Sequence, residues 1–494
     1  MKRWLAMAAA LVTAACGGAT RAPAPLPAPS AMPSAGAINS PELWRTQKPG
    51  PGQPGQLAYP LPEVAKLDNG LVIYVVRRPG GVVDLAVVSR HGAASVPKSK
   101  SGLAALTARM LTEGTKAKSS LALAEATEAL GSSLDGDAGR DYTKLELSTL
   151  REDLPRGLEL LAEVVKTPAF RRDELERVRG EWLDGLVAER QQPVRIASLV
   201  GLRVLLGDEQ GAPVAGSVPD VKRIAVADLV EFHRRAFAPG NLALIVAGDT
   251  TLAEVRPHAE RLFGAWKVPG VADPKALAIP APAATRVVLV DRPGAVQTAL
   301  FVAQPFPKRS DPGYEARSIL SQVVGGLFTS RINQNLREKH AYTYGARSQA
   351  IATRSWGAFV VTTSVKTQVT ADALSELISE VKAARDPALG RPLADDELDR
   401  GRADLVNSVG AHLEHNSRVA DDLLQMYVYT LPADYYAKYS NLILSVDRGE
   451  VARQAATLVP DQLLVVAVGD RSAIESPLRE KGFRVESADP RTLE

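Results

Sequence analysis

Residues 239–249 read PGNLALIVAGD, and residues 460–470 read PDQLLVVAVGD. In both stretches a proline-initiated turn leads into an apolar run that ends at Gly-Asp, the pattern of a buried strand. A second matching pair lies upstream, where Arg78-Pro79-Gly80 and Arg292-Pro293-Gly294 each follow a β-branched run. The two offsets, 214 and 221 residues, are nearly equal. The sequence therefore predicts a duplicated unit of about 210–220 residues.

The elements inside the first unit indicate its fold class. β-Branched and alternating runs predict strands, at 71–76, 83–88, 143–147 and 242–247. Apolar residues at helical spacing predict helices, at about 101–112, 119–131, 153–166, 172–190, 226–237 and 252–263. Runs of helices between antiparallel-looking strands favour an α+β fold over a doubly wound parallel sheet.

The N-terminus has the layout of a secretory signal. Lys2 and Arg3 precede a short apolar run and small residues that end at Cys16, the only cysteine of the chain. This pattern predicts a lipoprotein signal peptide at 1–16 with lipidation of Cys16. Thr13 departs from the Leu usual at that position, so an ordinary cleaved signal with a coincidental cysteine stays open. The Pro/Ala-rich stretch 17–58 predicts a tether.

Composition and patterning divide the rest of the chain and exclude some functions. The predicted parts are listed in chain order: an N-terminal unit at 59–268, a Pro/Ala-rich linker at 269–284, a C-terminal unit at 285–474 and a tail at 475–494. With 45% hydrophobic and 23% charged residues, the composition is that of a globular protein. A formal net charge of +3 without a basic, aromatic stripe argues against nucleic acid as a partner.

A series of motifs follows in order along the two units. They are Gly102-Leu103-Ala104 with Glu113-Gly114-Thr115, then Phe232-His233 with Gly248-Asp249, then Gly325-Gly326, Phe328, Ser330-Arg331, Leu336-Arg337-Glu338 and Tyr344-Gly345. Together they resemble the pitrilysin/insulinase metallopeptidase family, which includes mitochondrial processing peptidase. The likeness covers about residues 60–470. It implies two homologous units of the pitrilysin/processing-peptidase type, each an antiparallel sheet packed with helices, which together form half of a chamber.

The resemblance breaks at the zinc motif. Active relatives carry His-x-x-Glu-His, in which two His grip zinc from one helix face and the Glu activates water. The matching positions here are Ala105, Ala108 and Arg109, and the third ligand position falls near Gly185, with Asp184 and Glu181 beside it. We therefore expect no metal in this chain and no zinc cofactor of its own.

One other group of residues could suggest a metal site. His412 and His415 stand three apart with Glu414 between them. The resemblance implies no metal in this half of the chain, so we interpret them as surface or cap residues.

The second unit keeps an Arg/Tyr pair that the family uses. Arg337 and Tyr344 stand seven apart, as do the residues that in the enzymes bind the substrate carbonyl and the transition state. The alternative is a structural Arg at a helix end with a strand Tyr that packs on the sheet. Arg331 and Tyr342 lie close by and could mimic the pattern.

Two functions follow from the resemblance. The first is a non-catalytic subunit of a periplasmic zinc metallopeptidase, which supplies Arg337, Tyr344 and half of the chamber for peptide hydrolysis by a zinc-bearing paralogous partner. The alternative is a structural or peptide-binding lipoprotein scaffold. An independent hydrolase lacks support, because the sequence offers no Ser-His-Asp arrangement or Cys nucleophile. We expect a lipid anchor on the periplasmic side of the bacterial outer membrane.

Overall fold

The computed structural model describes residues 58–269, 272–389 and 391–488. The predicted signal peptide, Cys16 and the tether up to residue 57 lie outside these residues. No helix within the described part has both the length and the apolarity to cross a membrane.

The described residues form twelve strands and sixteen α-helices, with two π-helical segments in the second unit. The strands are β1 Glu63–Lys66, β2 Val72–Arg77, β3 Val82–Ser89, β4 Leu134–Ala138, β5 Thr143–Leu150, β6 Leu242–Gly248, β7 Arg286–Asp291, β8 Gln297–Phe306, β9 Thr343–Ala352, β10 Gly357–Lys366, β11 Leu464–Gly469 and β12 Arg484–Ser487.

The helices follow the same order in the chain. They are α1 Leu103–Leu111, α2 Ser120–Glu128, α3 Leu154–Lys166, α4 Arg172–Glu189, α5 Pro193–Gln210, α6 Val218–Arg223, α7 Val226–Ala236, α8 Leu252–Phe263, α9 Tyr314–Ser321, α10 Arg331–Asn333, α11 Thr370–Arg385, α12 Asp395–His412, α13 Asn416–Tyr429, α14 Tyr435–Ser445, α15 Arg448–Ala455 and α16 Arg471–Glu480. The π-helical segments are Gln322–Gly326 and Gln334–Lys339.

The strands form two six-stranded sheets with equivalent orders, β1-β2-β6-β3-β5-β4 and β12-β7-β11-β8-β10-β9. The duplicated segments take the same place in each sheet. Arg78 N donates to Gly248 O at 2.8 Å, and Arg292 N donates to Gly469 O at 2.8 Å. The predicted duplicated α+β unit is therefore confirmed.

Two details of the predicted units need correction. The sheets are mixed rather than wholly antiparallel, because β2 runs parallel to β6 and β7 runs parallel to both β11 and β12. The second concerns the expected tail at 475–494. Residues 471–480 form α16, and β12 pairs with β7 at the sheet edge, so the second unit extends at least to Ser487.

Each unit contributes one helix that covers the sheet of the other unit. One face of each sheet packs on helices of its own unit, and this forms the two main cores. The opposite face of the first sheet packs on α13, and that of the second sheet packs on α5. Helix α5 was not predicted from the sequence. The second face of each sheet is thus covered by a helix of the other unit.

The linker between the units is held at two points. Asp273 forms ion pairs with Arg90 of the first unit at 2.9 Å and with Arg354 of the second unit at 2.5 Å. Leu277 N donates to Ser355 O at 2.8 Å. These contacts fix the connection beside the ends of both sheets.

Candidate functional site

Helix α1 carries the degenerate zinc motif. Ala105 and Ala108 are buried in the first core, and Gly136 of β4 packs on the backbone of Ala108. A Cβ at Gly136 would lie 2.1 Å from Ala108 O, so helix and strand touch without intervening side chains. The methyl groups of the two alanines offer no donor atoms for a metal. The helix is present, but its chemistry is apolar.

Arg109, at the third position of the degenerate zinc motif, belongs to a network of ion pairs. The Arg109 guanidinium contacts the Glu113 carboxylate one turn later, and Arg177 of α4 contacts the same carboxylate. Arg177 also pairs with Glu174 and Glu181, each at 2.9 Å. Glu113 is only 5% exposed, so two cations compensate a buried charge. This network joins α1 to α4, the two helices that would carry zinc ligands.

The residues at this site do not fit zinc. Gly185 and its neighbour Asp184 are exposed on α4, and Glu181 is engaged by Arg177. Cationic Arg109 stands where a neutral His would be required. Throughout the described residues, no three His, Cys, Asp or Glu side chains converge as a metal site would need. No hydrolytic step through a metal can therefore be derived for this chain.

The His412–His415 pair has structural contacts. His412 Nδ1 lies 3.1 Å from Oδ1 of Asp422, a buried carboxylate that also accepts a hydrogen bond from Tyr59 OH at 3.0 Å. His415 is the N-cap residue of α13. The His415 side chain is exposed and makes no capping hydrogen bond, so His415 is a surface residue at the N-cap position, and His412 links α12 to α13.

Arg337 and Tyr344 lie on either side of one tight turn at the edge of the second sheet. Arg337 belongs to the π-helical segment Gln334–Lys339, and Tyr344 is the second residue of the edge strand β9. Tyr344 is 90% exposed, and the Arg337 side chain is one-third exposed. Among the described residues no hydrogen bond joins the two side chains. Both face solvent with their polar groups available.

The backbone is irregular around this turn. Arg337 lies in a π-helix, a rare conformation that is frequent at functional sites. Ala341 has φ +52, which is unusual for a residue with a Cβ. The pairing of β9 with β10 shifts register opposite Tyr344, between Thr363 and Val365. Three deviations from regular geometry thus converge on the segment that presents Arg337 and Tyr344.

The neighbouring alternatives, Arg331 and Tyr342, serve the fold. The Arg331 side chain is fully buried, and its Nε donates to Glu397 Oε1 at 3.0 Å. It also donates to the carbonyls of Arg391 and Pro392. Tyr342 packs against the second core and stacks on His340 at 4.8 Å between ring centroids. The Arg331 guanidinium is thus fully engaged within the fold, and the Tyr342 ring is held by packing.

Two further residues near the turn had not been assigned a role from the sequence. The Arg337 guanidinium carbon lies 4.0 Å from the ring centroid of Phe328, a cation–π contact. The Asn333 amide accepts from Ala346 N at 2.8 Å and donates to Ala346 O at 3.0 Å. Asn333 therefore pairs with β9 as a neighbouring strand would. Phe328 lies in one of the motifs of the second unit. An aromatic residue in a polar loop is the feature that could have identified it from the sequence.

Comparison with known proteins places the chain in a family. Residues 71–198 match the profile described as insulinase (peptidase family M16), and residues 223–405 match the one described as peptidase M16 inactive domain. The two matches together cover more than half of the chain. The chain belongs to the M16, or insulinase, family of peptidases.

This chain is similar both to proteins named zinc protease and to a protein named non-peptidase homolog. An uncharacterised zinc protease of Streptomyces coelicolor is 25% identical over 62% of this chain and 67% of its own length. One from Mycobacterium tuberculosis is 29% identical over 53% of this chain and 60% of its own length. A Helicobacter pylori protein named non-peptidase homolog YmxG is 23% identical over 76% of this chain and 85% of its own length. The chain thus spans about two thirds or less of the two zinc proteases.

A solved structure shares the fold over most of the chain. The crystal structure of a peptidase M16 inactive domain from Pseudomonas fluorescens superimposes with a TM-score of 0.76 at 26% identity. The match covers 83% of this chain and 98% of that one. The two-unit fold expected from the sequence resemblance is confirmed.

Proposed function

We propose that this chain is the non-catalytic subunit of a zinc metallopeptidase. In this proposal it supplies Arg337, Tyr344 and one half of a chamber, and a zinc-bearing paralogue supplies the other half. The observation that carries the proposal is the contrast between the two candidate sites. At α1, an alanine pair and an Arg–Glu network replace the metal ligands. At β9, Arg337 and Tyr344 are presented to solvent by an irregular backbone.

The chemistry of Arg337 and Tyr344 suits the binding of a peptide carbonyl. A guanidinium donates hydrogen bonds in a fixed planar fork, and a phenol donates one more. The only ion pair of Arg337 among the described residues is a long one, 3.6 Å from Nε to Glu338 Oε1. Donors aimed at a carbonyl oxygen stabilise the negative charge that develops there during hydrolysis. The partner would hold the zinc and the water that attacks.

The proposal includes a lipid anchor at Cys16 on the periplasmic side of the outer membrane. It rests on the basic start, the short apolar run and the single cysteine of the first 16 residues. Acyl chains on one residue hold a protein at a bilayer because each buried CH₂ contributes about 0.8 kcal/mol. An anchor would keep the subunit and its partner together at the membrane.

Affinity purification from native membranes tests the proposal. The tagged chain should recover a second M16 protein with an intact His-x-x-Glu-His motif, and the zinc should be found with that protein. A Cys16→Ser bait is the matched control, since it should leave the membrane fraction and still capture the partner. Recovery of the chain alone under mild conditions would favour the scaffold function. Stoichiometric zinc in the isolated chain would contradict the proposal.

A further inference from the structure

Two exposed aromatic side chains lie close to Arg337 in the sequence, one on each side of it. Phe328 is 64% exposed and Tyr344 is 90% exposed. The other exposed large apolar side chains among the described residues are all Leu or Val. Exposed aromatic rings are enriched at binding surfaces, where they offer a large contact area at low entropic cost. The Phe328 ring lies against the Arg337 guanidinium, and Tyr344 is the second residue of the strand that follows the same turn. Phe328, Arg337 and Tyr344 are together called the aromatic patch.

The patch combines an apolar surface with free hydrogen-bond donors. Arg337 lies over one face of the Phe328 ring, with 4.0 Å between Cζ and the ring centroid. That contact orients the guanidinium without consuming its N–H groups. Among the described residues, the Arg337 side chain forms no hydrogen bond. Its one ion pair there is long, 3.6 Å from Nε to Glu338 Oε1. A ligand that fits the patch therefore needs a bulky apolar group next to a hydrogen-bond acceptor.

The scaffold beneath the patch is fixed by one buried amide. Asn333 Nδ2 donates to Leu327 O and to Ala346 O, each at 3.0 Å, and Asn333 Oδ1 accepts from Ala346 N. The backbone before Phe328 and the strand after Tyr344 are thus tied to the same side chain. A pre-ordered surface binds a flexible ligand at a lower entropic cost.

We propose that Phe328 is a specificity-determining residue of this chain. With Tyr344 it binds a bulky apolar or aromatic side chain of an extended peptide, while Arg337 holds a carbonyl of that peptide. This inference rests on the proposed function for the role of Arg337 and Tyr344, and it adds the substrate class. Peptides with a large apolar residue are bound in preference to peptides with a small one.

Fluorescence anisotropy on the full chain tests the preference without any partner. The probes are two otherwise identical unstructured Gly/Ser-based peptides with a central Phe or a central Ala. We expect wild type to bind the Phe peptide about 3- to 10-fold more tightly. Phe328→Ala should remove most of that ratio, and Phe328→Leu, which keeps an apolar side chain, should keep part of it. Arg337→Gln should weaken both peptides alike and leave the ratio.

Leu121→Ala is the matched control, because it removes a 70% exposed apolar side chain from α2 of the other unit. It should change neither affinity nor ratio. Equal binding of the two peptides by wild type, or an unchanged ratio in a folded Phe328→Ala chain, would overturn the inference. Because no zinc subunit is present, failure here is distinguishable from failure of the proposed function. The proposed function fails when no zinc-bearing partner is recovered.

Discussion

Two arginines six residues apart, Arg331 and Arg337, have opposite environments. Arg331 is sealed in the second unit and bonded to the Glu397 carboxylate, whereas Arg337 is partly exposed over an aromatic ring. A buried charge must be paired, because its desolvation is costly. An exposed charge with free donors has no such requirement. The environment of each side chain, rather than its spacing to a tyrosine, therefore separates the structural arginine from the candidate binding residue.

Removal of Glu397 should reveal the structural role of Arg331. Glu397→Ala leaves Arg331 buried without its counter-ion, which should lower the free energy of unfolding by about 3–5 kcal/mol. Urea unfolding at neutral pH gives the value. Asp396→Ala is the control, since its ion pair with Arg400 is on the surface and should contribute less than about 1 kcal/mol. Similar stabilities for the Glu397→Ala chain and wild type would show that Arg331 is not held by this pair.

The same pair predicts a pH dependence. Burial alone would raise the pKa of Glu397, but hydrogen bonds from Arg331 and from Ala394 N–H outweigh it and lower the pKa. A carboxyl whose pKa is lowered by folding stabilises the fold at pH values above its ordinary pKa of about 4.3. This contribution is lost as the pH falls through the pKa of the folded state. The stability gap between wild type and Glu397→Ala should therefore narrow below about pH 4.

At the scale of elements, α5 shows how one helix joins the two units. Gly201 of α5 contacts Phe301 of β8, and a Cβ at Gly201 would lie 2.2 Å from Cδ1 of that ring. Phe301 is part of the core between α5 and the second sheet. The glycine allows helix and sheet to approach this closely.

A matched pair of glycines on adjacent helices tests the contact. Gly201→Ala should cost about 1–3 kcal/mol because the added methyl overpacks the core. Gly185→Ala on α4 meets nothing within 4 Å and should stabilise the chain by about 0.5–1 kcal/mol through helix propensity. Thermal unfolding of the two variants compares them directly. Equal effects of the same sign would contradict the close approach of α5 to Phe301.

The predicted elements and the missed ones differ in a physical way. Strands β2, β3 and β6 and helices such as α3 were predictable, because each buries one face in the core of its own unit. Helix α5 was missed. Its apolar residues serve the other unit's sheet, and Gly207 interrupts it with a φ of +72. The buried face of α5 includes the small residues Ala197 and Gly201, which weakens its apolar periodicity in the sequence.

The candidate site was predictable only in part for the same reason. The loss of donors at Ala105, Ala108 and Arg109 could be inferred from one motif. The Glu113–Arg177 ion pair could not, because it joins positions 64 residues apart. The stacking of Arg337 on Phe328 also depends on folding, since a π-helical turn brings them together. Local spacing identified candidate positions, and tertiary contacts separated Arg337 from Arg331.

At the scale of the whole molecule, the exchange of α5 and α13 makes the units interdependent. Without α13, the first sheet would expose buried residues that include Val76, Val88 and Ile245. We therefore expect one cooperative transition in calorimetry, with equal calorimetric and van't Hoff enthalpies. Residues 58–268 expressed alone should aggregate or bind a hydrophobic dye. Two separate transitions, or a stable monomer of that fragment, would contradict the interdependence.

The central claim is that Arg337 and Tyr344 complete a site whose zinc belongs to a partner. The most direct measurement is kcat for an unstructured peptide, with the recovered partner combined with wild-type or Tyr344→Phe chains. Loss of one donor to the developing oxyanion should lower kcat about 10²–10³-fold. Stability should change by less than about 1 kcal/mol, because one exposed hydroxyl is removed. Arg337→Lys, which loses the planar fork, should also be impaired. Unchanged kcat in both variants, with the complex intact, would contradict the claim.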